Sequence, residues 1–324
     1  MAQTTGAPAA AEAAPPVRRA LDDRDLPTRM LLLGLARDDG SILGAEAFDV
    51  AGACRRSPEQ VRSCLRRLVA EGLFLREGTG QRAVYRPTPS GLAVLAAGTE
   101  RTRLALAQDR ATRTWDGRWH LVGFAIPESR RAARDALRER LGGRGGLGGA
   151  PIHNGLYVSP HPWESEVAGA AGRLDVHQHV TTAVSDRLTI GGVDDPRALA
   201  ARLWPLDGIA ERYRAFIERW RDLPSELEAM RRRGQRLPDS AFLPGALAMG
   251  LAWSDCFDAD PLLPPELLPH PWPGRAAREL LVRSREVARE VRAEHDRPAL
   301  FRSFDDVIDT LPGREPTEQW ETTA

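Results

Sequence analysis

Between Val61 and Val69 the apolar positions recur with a helical period. Val61, Cys64, Leu65, Leu68 and Val69 share one face; Gln60, Ser63, Arg66 and Arg67 share the opposite one, with Arg62 at the border. Ser57 is a good N-cap, Pro58 suits the first helical position, Gln60 completes an S-x-x-Q capping box, and Gly72 ends the helix. The pattern then shortens. Leu73, Phe74 and Leu75 read as one strand and Ala83, Val84 and Tyr85 as its partner, around a Gly78-Thr79-Gly80 turn. Upstream, 26–36 and 45–53 read as two further helices. Three helices followed by a hairpin form the sequence pattern of a winged helix-turn-helix.

Downstream, 90–111 alternates Leu and Ala with Arg and predicts a long linker helix. A strand is expected over 119–126, a helix from Pro127 to Leu141, strands over 152–158 and 176–184, and helical material over 163–173. Strand, helix, strand, helix, strand predicts a small ferredoxin-like domain. Beyond Pro196 the chain reads as helical, with helices near 208–223, 242–257 and 275–294 and a proline-rich rigid connector, DPLLPPELLPHPWPG, between the last two. The fold class is therefore α+β. The expected division is a tail (1–22), a winged helix (23–92), a linker helix (93–114), a ferredoxin-like domain (115–195), a helical C-terminal domain (196–312) and a tail (313–324).

Charge sharpens the first of these segments. The 324-residue chain carries 45 basic and 45 acidic residues, and every Lys/Arg position is Arg. Any affinity for nucleic acid must then come from a local patch. From Arg55 to Gly91 eight arginines face three glutamates, an excess of five. The candidate DNA contacts are Arg55, Arg56, Ser57, Gln60, Arg62, Ser63, Arg66 and Arg67 on the recognition helix and its approach, with Arg76, Arg82 and Arg86 on the wing. The cysteines Cys54, Cys64 and Cys256 are an odd number without paired spacing, which fits a reducing, cytoplasmic setting; Cys64 reads as a core residue, and a Cys54/Cys64 redox switch is the lesser alternative. No apolar run reaches membrane-spanning length, and the Ala/Pro-rich first twenty residues lack the order of a signal peptide.

Several stretches in order carry a family likeness: VRSCLRRLVAEGLF at 61–74, TPSG at 88–91, WDGRWHLVGFAIPE at 115–128, GLYVSP at 155–160, and DPLLPPELLP…WPG at 260–274. With them the chain resembles the PaaX family, repressors of phenylacetic-acid degradation operons and their relatives, over roughly 25–311. The resemblance implies a dimeric, ligand-responsive transcription factor, usually a repressor, that binds double-stranded operator DNA. Its central domain would resemble the small CRISPR-associated nuclease fold. It also brings in an aryl- or acyl-CoA thioester as one candidate effector. Ahead of DPLLP the family tends to be basic, whereas AWSDCFDAD at 252–260 is acidic here, which weighs against a polyanionic effector.

Catalysis, cofactors and metals are not expected. The related nucleases hold a metal with an acid near the end of the first strand, where this chain has Ala125 and Ile126; Glu128 reads instead as the start of a helix. His177-x-His179 would put two imidazoles on one strand face, without a third ligand nearby. The glycines of 142–149 lack G-K-[ST] and follow a helix, so a flexible turn is expected rather than a phosphate loop. Trp119, Arg134 and Trp253 are the effector-contact candidates, in a pocket between the ferredoxin-like and helical domains. The competing functions are a nucleic-acid-processing enzyme and a winged-helix adaptor; the basic helix face and wing favour DNA binding over the adaptor, and the missing strand-end acid favours it over the enzyme.

Overall fold

The computed structural model describes residues 26–110, 114–293 and 297–310. The expected tails, 1–22 and 313–324, lie outside them. The chain is mixed α and β, with two antiparallel sheets, and divides into two compact units. One contains Met1–Thr102, Arg219–Ala252 and Arg278–Ala324; the other contains Arg103–Glu218 and Trp253–Ala277.

In the first unit, α1 (Thr28–Gly34), α2 (Gly44–Ala53) and α3 (Pro58–Ala70) accompany a three-stranded sheet. Its strands are β1 (Ile42–Leu43), β2 (Phe74–Glu77) and β3 (Val84–Pro87), in the order β1-β3-β2. Leu31, Leu32, Leu35, Ile42, Val50, Val61, Leu65, Leu68 and Phe74 are fully or almost fully buried and form the core. Gly72 has φ +70°, and the Leu73 amide donates to Leu68 O, so the end of α3 is closed by a Schellman turn. That closure uses Leu73, and the strand starts one residue later than the apolar run implies.

The same unit includes α9 (Leu223–Arg232), the larger parts of α10 (Asp239–Phe257) and α11 (Pro273–Val291), and α12 (Arg302–Asp309). Phe301 joins the C-terminal segment to α1. Its amide donates to Gly34 O at 2.7 Å, and its ring lies against both Gly34 and Gly250, where a Cβ would come within 2.8 and 2.9 Å of the ring. Arg302 donates to Leu35 O, and Arg297 pairs with Asp49 of α2 at 2.9 Å. Below them, buried Arg292 pairs with Asp239 at 2.6 Å and buried Arg285 with Asp305 at 2.7 Å. The two guanidinium groups lie 4.5 and 5.3 Å from the Phe242 ring centre.

The linker helix, α4 (Pro89–Asp109), begins in the first unit and ends in the second. There β4 (Trp119–Phe124), α5 (Arg131–Gly142), β5 (Ala150–His153), β6 (Leu156–Ser159), α6 (Glu164–Arg173) and β7 (Val180–Ser185) follow one another. The sheet order is β5-β6-β4-β7, antiparallel throughout. Leu137 and Leu141 of α5 and Val167 and Ala171 of α6 pack with Val122 and Tyr157 in its core. Helices α7 (Pro196–Leu203) and α8 (Leu206–Trp220) come next.

Three expectations are corrected in this unit. The strand expected over 152–158 is a hairpin turning at Asn154-Gly155, with Gly155 at φ +81°. The last strand starts at Val180, because His177–His179 form a 3-10 turn, and the two imidazoles do not share a strand face. The glycine-rich stretch is not a free turn. Leu147 and Gly149 amides donate to Arg140 O and Leu141 O, Gly145 donates to Asp258 O, and a Cβ on Gly148 would sit 2.6 Å from Pro261 O. The proline-rich connector is likewise packed: Leu262, Leu263, Leu267 and Leu268 are buried, and Asp260 accepts from Tyr213 Oη and from the Leu262 amide, both at 2.7 Å.

Candidate nucleic-acid interface

Arg55 makes the turn between α2 and α3. It adopts φ +56°, a conformation that costs a non-glycine residue energy, and its amide donates to Gly52 O. Arg56 donates from Nε to Cys54 O. Ser57 then caps α3: its Oγ accepts from the Gln60 amide at 3.2 Å while its own amide donates to Gln60 Oε1 at 2.8 Å. The Gln60 side-chain oxygen is therefore engaged in the cap, and its amino group remains free to donate to a base edge.

With Val61, Cys64, Leu65 and Leu68 buried, α3 turns Gln60, Arg62, Arg66 and Arg67 to solvent and leaves Ser63 half-buried. Glu59 bridges Arg62 at 3.1 Å and Arg66 at 3.5 Å, so one carboxylate holds two guanidinium groups on the first turns of the helix. Arg67 forms no ion pair among the described residues.

The wing is β2 and β3 with the loop between them, in the register Leu75 opposite Arg86 and Arg76 opposite Tyr85. Gly78 and Gly80 have φ of +77° and +60°, which a side chain would oppose, and a short 3-10 turn runs through Gly80–Arg82. Arg86 is neutralised by Glu77 at 2.8 Å, with Asp39 at 3.9 Å; the hydrogen bond to Glu77 and its charge push the guanidinium pKa up. Arg76 and Arg82 are exposed and form no ion pair among the described residues.

A groove of about 640 Å³ runs between helix and wing. Arg62 and Arg66 of α3 line it together with Arg76 of β2 and Gln81 of the wing loop. Its floor includes Phe48 and Tyr85, and Asp49 is the acid on its border. Three of the eleven candidate contacts thus converge on one concavity. Gln60, Ser63 and Arg67 lie along α3, Arg55, Arg56 and Ser57 lead into it, Arg82 is near the wing tip, and Arg86 is tied up. Gln81, Phe48 and Tyr85 were not read from the sequence, because a neutral loop residue and two aromatics carry no local signal for a groove.

The effector candidates lie in the second unit, each engaged elsewhere. Trp119 is fully buried, its ring centre 5.3 Å from that of Trp115. Arg134 pairs with Glu128 at 2.8 Å, which pushes its pKa up. Trp253 stacks on Phe257 at 4.9 Å and lies near Phe216 and Tyr213. Among the described residues no group of three His, Cys, Asp or Glu side chains is placed to hold a metal, and no helix is long and apolar enough to cross a membrane.

A cationic helix face thus lies beside a basic hairpin in the first unit. Residues 112–200 match the PaaX protein central Cas2-like domain, and residues 204–297 match the PaaX-like protein C-terminal domain. The matches together span more than half of the chain, which belongs to the PaaX family of transcriptional regulators. Among solved structures, an uncharacterized protein from Mycobacterium tuberculosis is 21% identical over 87% of this chain and 99% of its own, with a TM-score of 0.45. No curated protein matches this chain.

Proposed function

We propose that this protein is a homodimeric, ligand-responsive transcriptional repressor that reads operator DNA through a winged helix-turn-helix formed by α1, α2, α3 and the β2–β3 hairpin. In this reading α3 enters the major groove, with Arg67, Ser63 and the free amino group of Gln60 toward base edges, and Arg76 and Arg82 on the wing grip the backbone. The order strand, helix, strand, strand, helix, strand in the second unit supports a ferredoxin-like domain there. The observation that carries the proposal is the convergence of Arg62, Arg66 and Arg76 on one groove in a chain of zero formal net charge. A single winged helix contacts few base pairs, which is why two chains on a two-fold site are proposed.

The test begins with mapping the bound sites genome-wide and measuring affinity for one of them against salt. Affinity should fall steeply as salt rises, because each neutralised phosphate releases counterions. Arg67→Ala should cost about 1–3 kcal/mol of discrimination between operator and scrambled DNA, while Arg82→Ala should weaken both alike. Footprints should show an inverted repeat. A salt-independent affinity, or sites lacking two-fold symmetry, would count against the reading.

A further inference from the structure

The second unit contains a cavity of about 550 Å³, a volume suited to a small molecule. It opens where α7 gives way to α8 and the 260s segment passes beside them. Its floor is apolar and buried: Trp204, Leu206, Leu267 and Leu268. The floor is also fixed. The Trp204 indole N–H donates to Gly148 O at 2.9 Å, which locks the ring, and the Asp195 carboxylate caps α7 by accepting from the Ala198 amide at 2.8 Å.

The rim carries three charged or titratable side chains: Arg197, His270 and Asp207. Arg197 is held by one bond, from Nε to Glu266 O at 2.7 Å. Its two terminal nitrogens have no acceptor among the described residues, and neither His270 nor Asp207 has an ionic partner there. A guanidinium anchored through Nε and open at its other edge is arranged for a carboxylate, which it can take bidentately. Gly208 adds room: a Cβ built there would meet nothing within 4 Å, so packing within the chain does not require a glycine in this helical turn.

We propose that this cavity binds a compact carboxylic acid with an aromatic or aliphatic body, its carboxylate on Arg197 and its hydrocarbon on Trp204, Leu267 and Leu268. The rim has one permanent cation opposed by the carboxylate of Asp207. It offers one carboxylate a single cationic partner, Arg197, and has no second arginine for the phosphates of a coenzyme A thioester. The effector role of this ligand rests on the proposed function above; its binding to the cavity does not.

The test is calorimetry on the full chain with benzoate, phenylacetate and hexanoate, each compared with its CoA thioester. At least one acid should bind, and its thioester should bind no more tightly. Arg197→Ala should weaken binding about tenfold or more. Ala201→Trp, at an exposed helix position lining the cavity, should abolish binding by filling it. Unfolding midpoints of both variants, with Arg197→Lys as a charge-retaining control, separate lost binding from lost folding. The assignment is overturned by no binding of any acid at millimolar concentration, by binding that both folded variants leave unchanged, or by tighter binding of the thioester. The bound acid is then added to the operator complex. Binding with DNA release supports both the site and its effector role; binding without release keeps the site and removes the effector role.

Discussion

Cys54, Cys64 and Cys256 are buried and unbridged. Burial pushes the Cys54 thiol up to about 12 and the Cys256 thiol up to about 11, and it raises that of Cys64. A thiol is a nucleophile only as its thiolate. All three should therefore resist an aromatic disulfide reagent at pH 8 in the folded protein and react once the chain is unfolded. Rapid labelling of Cys54 or Cys64 before unfolding would revive the redox switch that their neighbouring positions in sequence permit. The same scale explains Gln60. Its side-chain type and face mark it for base reading, yet its side-chain oxygen already accepts from the Ser57 amide in the capping box.

At the scale of elements, the glycines of 142–149 mark places where backbones approach one another. A Cβ on Gly149 would lie 2.3 Å from the Trp163 ring, itself buried in the sheet's core cluster. Gly149→Ala should destabilise the protein by about 1–3 kcal/mol, as overpacking does, read as a lower denaturant midpoint with an unchanged slope. Gly172→Ala, where nothing lies within 4 Å, should not destabilise it. An equal loss in the two variants would mean that helix and loop backbone, not the Trp163 contact, sets the cost. Legibility followed the reach of the signal. The α3 helix was readable because its cap, apolar face and closing glycine all lie within 57–72. The Asn154-Gly155 hairpin was missed although its turn signal is local, because apolar residues on both sides merged two short strands into one run. What the 260s segment packs against was not legible, because the Tyr213–Asp260 hydrogen bond that holds it comes from 47 positions away. For the candidate interface, the arginines of helix and wing were readable from charge; the pairing that removes Arg86 depends on strand register and on Asp39.

At the scale of the molecule, the unit that bears the candidate interface is discontinuous: residues 1–102 are completed by 219–252 and 278–324. No local pattern announces this. It rests on Phe301 between Gly34 and Gly250, on Arg302 at Leu35 O and on Arg297 at Asp49. A fragment of residues 23–110 lacks every one of these partners. It should unfold at a lower temperature, with a broader transition, and bind operator more weakly than the full chain. Cooperative unfolding of that fragment at the full-chain midpoint would show that the C-terminal contacts contribute nothing to its stability. The order of assembly during synthesis follows from the same insertion. About two hundred residues separate the end of the first piece from Phe301 and α12. At ribosomal speed the first piece waits roughly 10–40 s for the partners that complete it. A message cut short before Phe301 therefore yields no finished unit bearing the candidate interface, so under the proposed function an interrupted chain is poorly equipped to compete with the intact protein for DNA.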